Sequence, residues 1–298
     1  MKILITGGTG LIGSELVERL SFNHDITVLT RSKQKAEKLA RKGVSCIHDL
    51  DEWTNDQHYH AIINLAGEPI VDRRWTQKRK SVLINSRVTL TQKIVEKIEN
   101  NQNKPNVLIS GSAVGIYGDS ESETFSESSE FEVNDFGAYC CHEWEKAALR
   151  AEDSGVRTCI VRTGIVLSNK GGMLKKLLLP FRFGLGGRIG HGKQWLSWIH
   201  IDDQVDAILH LFSNHDSRGT YNLTAPEAVT NGTFTTSLGK ALRRPTWFTV
   251  PAFVIKAALG EASLLLLGGQ RVTPDRLLSE GFSFKFQNLD AALNNLLD

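Results

Sequence analysis

The sequence predicts an α/β protein: a doubly wound parallel sheet with a smaller, mostly helical C-terminal lobe. Three observations carry that expectation. Short β-branched runs alternate with stretches of helical period. Those runs are apolar throughout, as strands covered on both faces are. A glycine-rich turn joins the first run to the first helical stretch. The length of 298 residues fits one large core plus a small one. A hydrophobic fraction of 41% and a charged fraction of 23% exclude a disordered or fibrous chain.

In chain order, strands are expected at 2–6, 26–30, 44–48, 61–65, 106–110 and 157–163, with helices at 11–20 and 88–98 between them. Past residue 165 the rhythm gives way to a glycine-rich loop, Phe183 to Gly192. A helix over 202–212 follows, capped by Asp202 or Asp203, and then a strand at 220–223 that can return to the sheet. The remainder from Thr230 reads as helical. The expected organisation is a nucleotide-binding domain over 1–165, rejoined by about 196–225, and a second lobe over 166–195 and 226–298. The Ser/Glu-rich segment 119–132 reads as a solvated surface loop, with a flexible lid as the other reading.

A formal charge of +2 is too small for a nucleic-acid footprint, and the basic run 73–80 reads as the solvated start of a helix. The apolar run after Met1 is shorter than a signal peptide's, and no window reaches the roughly 18 to 20 apolar residues of a membrane span. The expectation is a soluble, cytoplasmic protein with no membrane among its partners. Cys46, Cys140, Cys141 and Cys159 show no CxxC spacing, which suits a reducing compartment and predicts no metal site.

Gly7-Gly8-Thr9-Gly10-Leu11-Ile12-Gly13 follows a strand and opens a helix, the context that gives a glycine pattern meaning. Gly7 permits the turn, Gly10 lets the backbone approach a pyrophosphate, and Gly13 lets helix and strand pack closely. The amides of Leu11 and Ile12 open the helix whose N-terminus faces the phosphates. This is a Rossmann-type dinucleotide site. The second strand ends at Thr30-Arg31-Ser32, where an NAD enzyme usually places an acid against the ribose hydroxyls. Arg31 instead offers two hydrogen bonds to a 2′-phosphate, with Lys33 and Lys35 close behind, so NADP(H) is the expected cofactor. Asn64-Leu65-Ala66-Gly67 ends the fourth strand at the edge where ligands of open α/β sheets lie, and Thr163 closes the sixth at the same edge.

These motifs, together with Ser110-Gly111-Ser112 leading to Tyr117-Gly118, resemble the extended short-chain dehydrogenase/reductase superfamily over nearly the whole chain. More narrowly the chain resembles an atypical epimerase-family branch. That likeness rests on Ala66 to Ile70, Arg74-Trp75, Ser86-Arg87, Trp144-Glu145, Phe181 to Gly187 and Trp198 to Asp203. The resemblance implies NADP(H) on the first domain, contacts from Thr30, Arg31, Leu65, Ala66 and Arg87, and a small-molecule substrate of sugar-nucleotide-like kind towards the C-terminal lobe. It also implies a homodimer through the helices over 76–100 and 136–153.

In the superfamily a Tyr, with a Lys four residues on, moves a proton to or from the substrate oxygen beside a strand-end Ser or Thr. Ser112 occupies the serine position, and Tyr139 is the tyrosine nearest the expected spacing. The residue four beyond Tyr139 is Glu143, so the lysine is absent. An unassisted tyrosine, with a pKa near 10, needs about 4 kcal/mol to act as phenolate at pH 7. His142 offers charge only if protonated, and Lys146 lies about 10 Å along the helix. A strand-end serine can equally satisfy backbone groups. Tyr117 reads as a packed aromatic at a turn or a donor to substrate, His200 as a buried structural histidine, and Arg188 or Lys193 as partners of an anionic group. Two functional readings follow. The first is an NADPH-dependent oxidoreductase or epimerase-type enzyme on a small carbonyl or alcohol. The second is a non-catalytic NADP(H) sensor of the same fold. A scaffold that kept only the fold ranks last.

Overall fold

Each apolar run becomes a strand whose alternate residues enter two different cores. The computed structural model describes residues 1–55 and 57–297. Its sheet has seven strands, β1 (Lys2–Thr6), β2 (Asp25–Leu29), β3 (Ser45–Ile47), β4 (Ala61–Asn64), β5 (Val107–Ala113), β6 (Arg157–Thr163) and β7 (Gly219–Leu223). All pair in parallel, in the order β7-β6-β5-β4-β1-β2-β3. On one face Ile3, Ile5, Ile63, Ile109 and Val161 join the largest core, and on the other Leu4, Ile62, Leu108 and Ile160 join a second. The continuous hydrophobicity of the runs is this double burial.

The first face is covered by α1 (Leu11–Leu20) and α7 (Ile201–Ser213), and the second by α4 (Leu90–Asn100). Two further helices of the sheet domain are α2 (Lys33–Ala40) and α5 (Phe136–Leu149). The stretch before α4 is α3 (Gln77–Ile84), capped by Thr76, followed by a π-helical segment Asn85–Thr89. The remaining helices are α6 (Gly172–Arg182), α8 (Asn231–Leu242), α9 (Ala252–Leu259), α10 (Leu264–Leu267), α11 (Asp275–Ser279) and α12 (Leu289–Leu297). Helix α12 places Leu289, Ala292, Leu293 and Leu296 in the same core as β1. Two- and three-residue ribbons knit the lobe, including Gly187–Ile189 with Phe248–Val250 and Trp195–Leu196 with Val229–Thr230.

The segment 119–132 is neither a free flap nor simply solvated. Thr124–Phe125 pairs with Arg271–Val272, Asp119 accepts from Gly269 N at 2.7 Å, and Glu127 accepts from Asn222 N at 2.9 Å. Its polar residues mark fixed contacts between distant parts of the chain. Likewise Asp203 accepts from Lys285 N (2.7 Å) and Phe286 N (2.9 Å), fastening the C-terminal segment to α7. Among the described residues no helix is long and apolar enough to cross a membrane, and no group of three His, Cys, Asp or Glu could hold a metal ion.

Candidate functional site

Because all seven strands are parallel, the carboxyl ends of β1, β2, β4, β5 and β6 emerge along one edge, and the candidate residues gather there. Gly7 has φ +71°, and a Cβ on it would lie 2.6 Å from the Leu65 carbonyl oxygen. A Cβ on Gly13 would lie 2.2 Å from the Gly7 carbonyl oxygen. The turn after β1 is thus packed directly on the backbone of Leu65 and Ala66. Gly10 caps α1 without any side-chain hydrogen bond, so the leading amides, Leu11 and Ile12 among them, have no capping side chain. A glycine cradle before an uncapped helix start is a preformed site for an anionic diphosphate.

Beneath this turn a polar chain fixes the strand ends. Thr6 Oγ1 donates to Asn64 Oδ1 at 2.6 Å and accepts from Ala66 N at 3.2 Å. Asn64 Nδ2 donates to Thr91 Oγ1 at 2.8 Å and Ser110 Oγ at 3.2 Å. Each side chain is buried, and each finds a partner, which sets the level of the loop Leu65 to Gly67. Arg87 sits on the π-helical segment with its guanidinium against Gly67, whose Cβ would meet Arg87 Cζ at 3.0 Å. It donates to the Glu68 carbonyl at 2.8 Å and lies over Trp144. Burial lowers its pKa from the ordinary arginine value.

Thr30 is buried at the end of β2, its Oγ1 accepting from Ser32 N. Arg31 projects into solvent, its side chain 86% exposed, and donates to Glu68 Oε1 at 2.9 Å. Glu68 also pairs with Arg79, and the hydrogen bond from Arg31 holds its carboxyl below the usual range. Lys35 reaches Thr9 Oγ1 at 3.5 Å. No acid stands at the end of the second strand, as the sequence leads one to expect, but Glu68 from the loop after β4 pairs with Arg31 there. Nothing in the sequence singles out Glu68 for this role. Thr163 ends β6 opposite Ala113 and accepts from Gln204 at 3.3 Å.

Ser112 is buried, and its hydroxyl donates to Glu145 Oε1 at 2.6 Å. Arg162 donates to both oxygens of the same carboxylate, at 2.9 and 2.8 Å. Burial opposes the charge on Arg162, but the two hydrogen bonds to Glu145 outweigh it and raise its pKa above the usual arginine value. Arg162 also donates to Tyr117 Oη at 2.9 Å, and Tyr117 donates to Asn222 Oδ1 at 2.8 Å. Burial pushes the Tyr117 phenol upward. Tyr117 is thus a packed, fully hydrogen-bonded aromatic. His200 is likewise buried; it caps α7 and stacks on Phe286 at 3.9 Å.

Tyr139 does not join this group. It lies 47% exposed on the outer face of α5, with His142 and Lys146, while the inner face turns Cys141 and Glu145 towards the end of β5. Cys141 is buried, its thiol pushed up to about 12 by desolvation. The i, i+4 pair beside Ser112 is therefore Cys141 and Glu145, so Tyr139 as the base is corrected by helical phase. Glu145, Arg162 and Asn222 carry the network without having been singled out from the sequence for it. The available signal was Arg162 interrupting the apolar run of β6.

The model of the NAD dependent epimerase/dehydratase family matches residues 3–224, and a domain of unknown function matches residues 250–296. The chain is 42% identical to the chloroplastic epimerase family protein SDR39U1 homolog of Arabidopsis thaliana, covering 100% of this chain and 87% of that protein. It is 38% identical to the epimerase family protein YfhF of Bacillus subtilis, covering 100% and 98%. Among solved structures, human epimerase family protein SDR39U1 (isoform 2) with NADPH superposes with a TM-score of 0.91 at 34% identity, over 100% of this chain and 99% of that one.

Proposed function

The chain belongs to the NAD dependent epimerase/dehydratase family, and from that premise we propose an NADPH-binding oxidoreductase or epimerase-type enzyme acting on a small carbonyl or alcohol. The observation that carries it is the glycine turn beside Arg31: a cradle with no room for a Cβ at Gly7 or Gly13, an uncapped helix start, and an exposed cation just past the carboxyl end of β2 with no acid at that end of the strand. The solved structure of the human relative with NADPH supports the same cofactor.

In this reading the amides at the start of α1 bind the pyrophosphate, and Arg31 exchanges Glu68 for the 2′-phosphate. That exchange costs little, because an exposed ion pair contributes about 0 to 1 kcal/mol and Glu68 keeps Arg79. Leu65, Ala66 and Gly67, backed by Arg87, form the floor of the nucleotide site, and Thr163 bounds it from β6. The bound nicotinamide supplies a hydride donor or acceptor. With its own proton held by Glu145, Ser112 can accept from a substrate hydroxyl through its lone pairs, whereas donating to a carbonyl oxygen requires that proton to leave Glu145. A second reading, an NADP(H) sensor without turnover, is favoured by that same committed proton and by Cys141 and Glu145 standing where a Tyr/Lys pair would.

Calorimetric titration with NADPH, NADH and NADP⁺ tests the binding. NADPH is expected to bind more tightly than NADH, and Arg31→Ala is expected to lose that preference, about tenfold or more for the loss of a charge-assisted pair. Equal affinity for both nucleotides in the parent protein contradicts the NADPH reading. Turnover of carbonyl substrates that Ser112→Ala abolishes supports the enzyme, whereas ligand binding that differs between NADP⁺ and NADPH without any turnover supports the sensor.

A further inference from the structure

The C-terminal lobe carries a surface that the nucleotide site does not use. Residues 172–193 contain five Lys and Arg, residues 231–258 contain four, and neither stretch contains an Asp or Glu. The two stretches meet in space. Gly187–Ile189 pairs with Phe248–Val250, Arg244 Nε donates to the Arg182 carbonyl at 2.8 Å, and Gly184 lies against Pro245. Among the described residues, Lys176 and Lys240 are the members of this set that pair with a carboxylate, on Asp72 and Asp290. Lys256, Arg243 and Arg182 pair with no carboxylate among the described residues.

From the same elements large apolar side chains stand in solvent: Trp247 is 88% exposed, Phe183 74%, Phe253 72% and Leu179 66%. Helix α9, whose sequence AFVIKAAL has Lys256 as its single charged or polar residue, buries none of its side chains. Its far end is held by Arg74, which donates to the carbonyls of Ala257 and Ala258. Phe253 is therefore displayed on a fastened helix, and Trp247 and Phe183 flank the ribbon that joins the two stretches. A patch of this kind on a monomeric surface marks an interaction site.

We propose that this face docks the protein onto an anionic lipid bilayer, with Trp247, Phe183 and Phe253 entering the headgroup boundary and the surrounding Lys and Arg meeting lipid phosphates. Charge complementarity selects the occupant. A second copy would oppose cation to cation across a symmetric contact, which is repulsive. An anionic surface offers partners to unpaired cations such as Arg182, Arg243 and Lys256, and aromatic tips flanked by Lys and Arg match the interfacial zone, where apolar groups enter and cations stay at the headgroups. The protein lies on the bilayer without spanning it.

Flotation of the full chain with phosphatidylcholine vesicles, with and without phosphatidylglycerol, tests the proposal. Association is expected only with the anionic vesicles and is expected to weaken as salt rises. Arg243→Gln with Lys256→Gln is expected to reduce partitioning roughly 25-fold, two cations being removed from the surface. Trp247→Ser with Phe253→Ser is expected to abolish it. The urea midpoints of both double variants stay at the parent value, since these side chains are exposed. Three results overturn the proposal: no association with either vesicle, equal association with neutral vesicles, or a dimer in light scattering that Trp247→Ser dissolves, which would give the face to a second copy.

Discussion

A carboxylate as buried as Glu145 is tolerated because Arg162 offers it two donors and Ser112 a third. Truncation would strand the guanidinium rather than merely delete a contact, since Tyr117 would be the one remaining side-chain acceptor for Arg162. Glu145→Ala is therefore expected to cost about 3 to 5 kcal/mol in urea unfolding. Ser112→Ala, which leaves the ion pair intact, is expected to cost about 1 kcal/mol. Equal losses from the two variants would show that Arg162 is not the member that matters. Tyr139→Phe, on the outer face of α5, is expected to leave stability and nucleotide binding at parent values.

At the level of elements, the join between β1 and α1 is the least forgiving. In Gly13→Ala the new methyl would meet backbone at 2.2 Å, so helix and strand must separate, at about 1 to 3 kcal/mol and with loss of nucleotide affinity in the same titration. The segment 119–132 gives a pH-dependent expectation. Burial raises the Glu127 carboxyl above its ordinary value, with hydrogen bonds from backbone amides opposing that rise. Its contribution is complete below the unfolded pKa of about 4.3 and is lost as pH rises through the folded one. Glu127→Gln keeps an acceptor for Asn222 N and removes the titration. Its melting temperature relative to the parent is therefore expected to rise as pH increases from about 4; a constant difference would contradict it. The sheet was legible because doubly buried strands leave unbroken apolar runs, and the glycine turn because its spacing is a steric requirement. The ribbons were not, since pairs of two or three residues carry no period. Nor was the contact of Ser112 with Glu145 and Arg162, whose partners lie 33 and 17 residues apart and meet only after β5, α5 and β6 are assembled. Helical phase, not spacing from Ser112, determines which residue of α5 faces the strand end.

For the molecule as a whole, the expected homodimer through α3, α4 and α5 stands as a proposal separate from the cationic face. Light scattering on gel-filtered protein is expected to give twice the chain mass, unchanged by Trp247→Ser; a monomer at all concentrations would exclude it. The largest core draws on both ends of the chain, with Ile3 and Ile5 from β1 beside Phe284, Leu289 and Leu293. Glu280 adds polar stitches, accepting from Ser217 at 2.5 Å and Tyr221 at 2.6 Å. During synthesis α1 follows the glycine turn at once, whereas Phe284, Leu289 and Leu293, which share its core, are translated more than 260 residues later. The first face of the sheet is therefore a core that α1 opens and α12 completes, so its last contacts are expected to form late in synthesis.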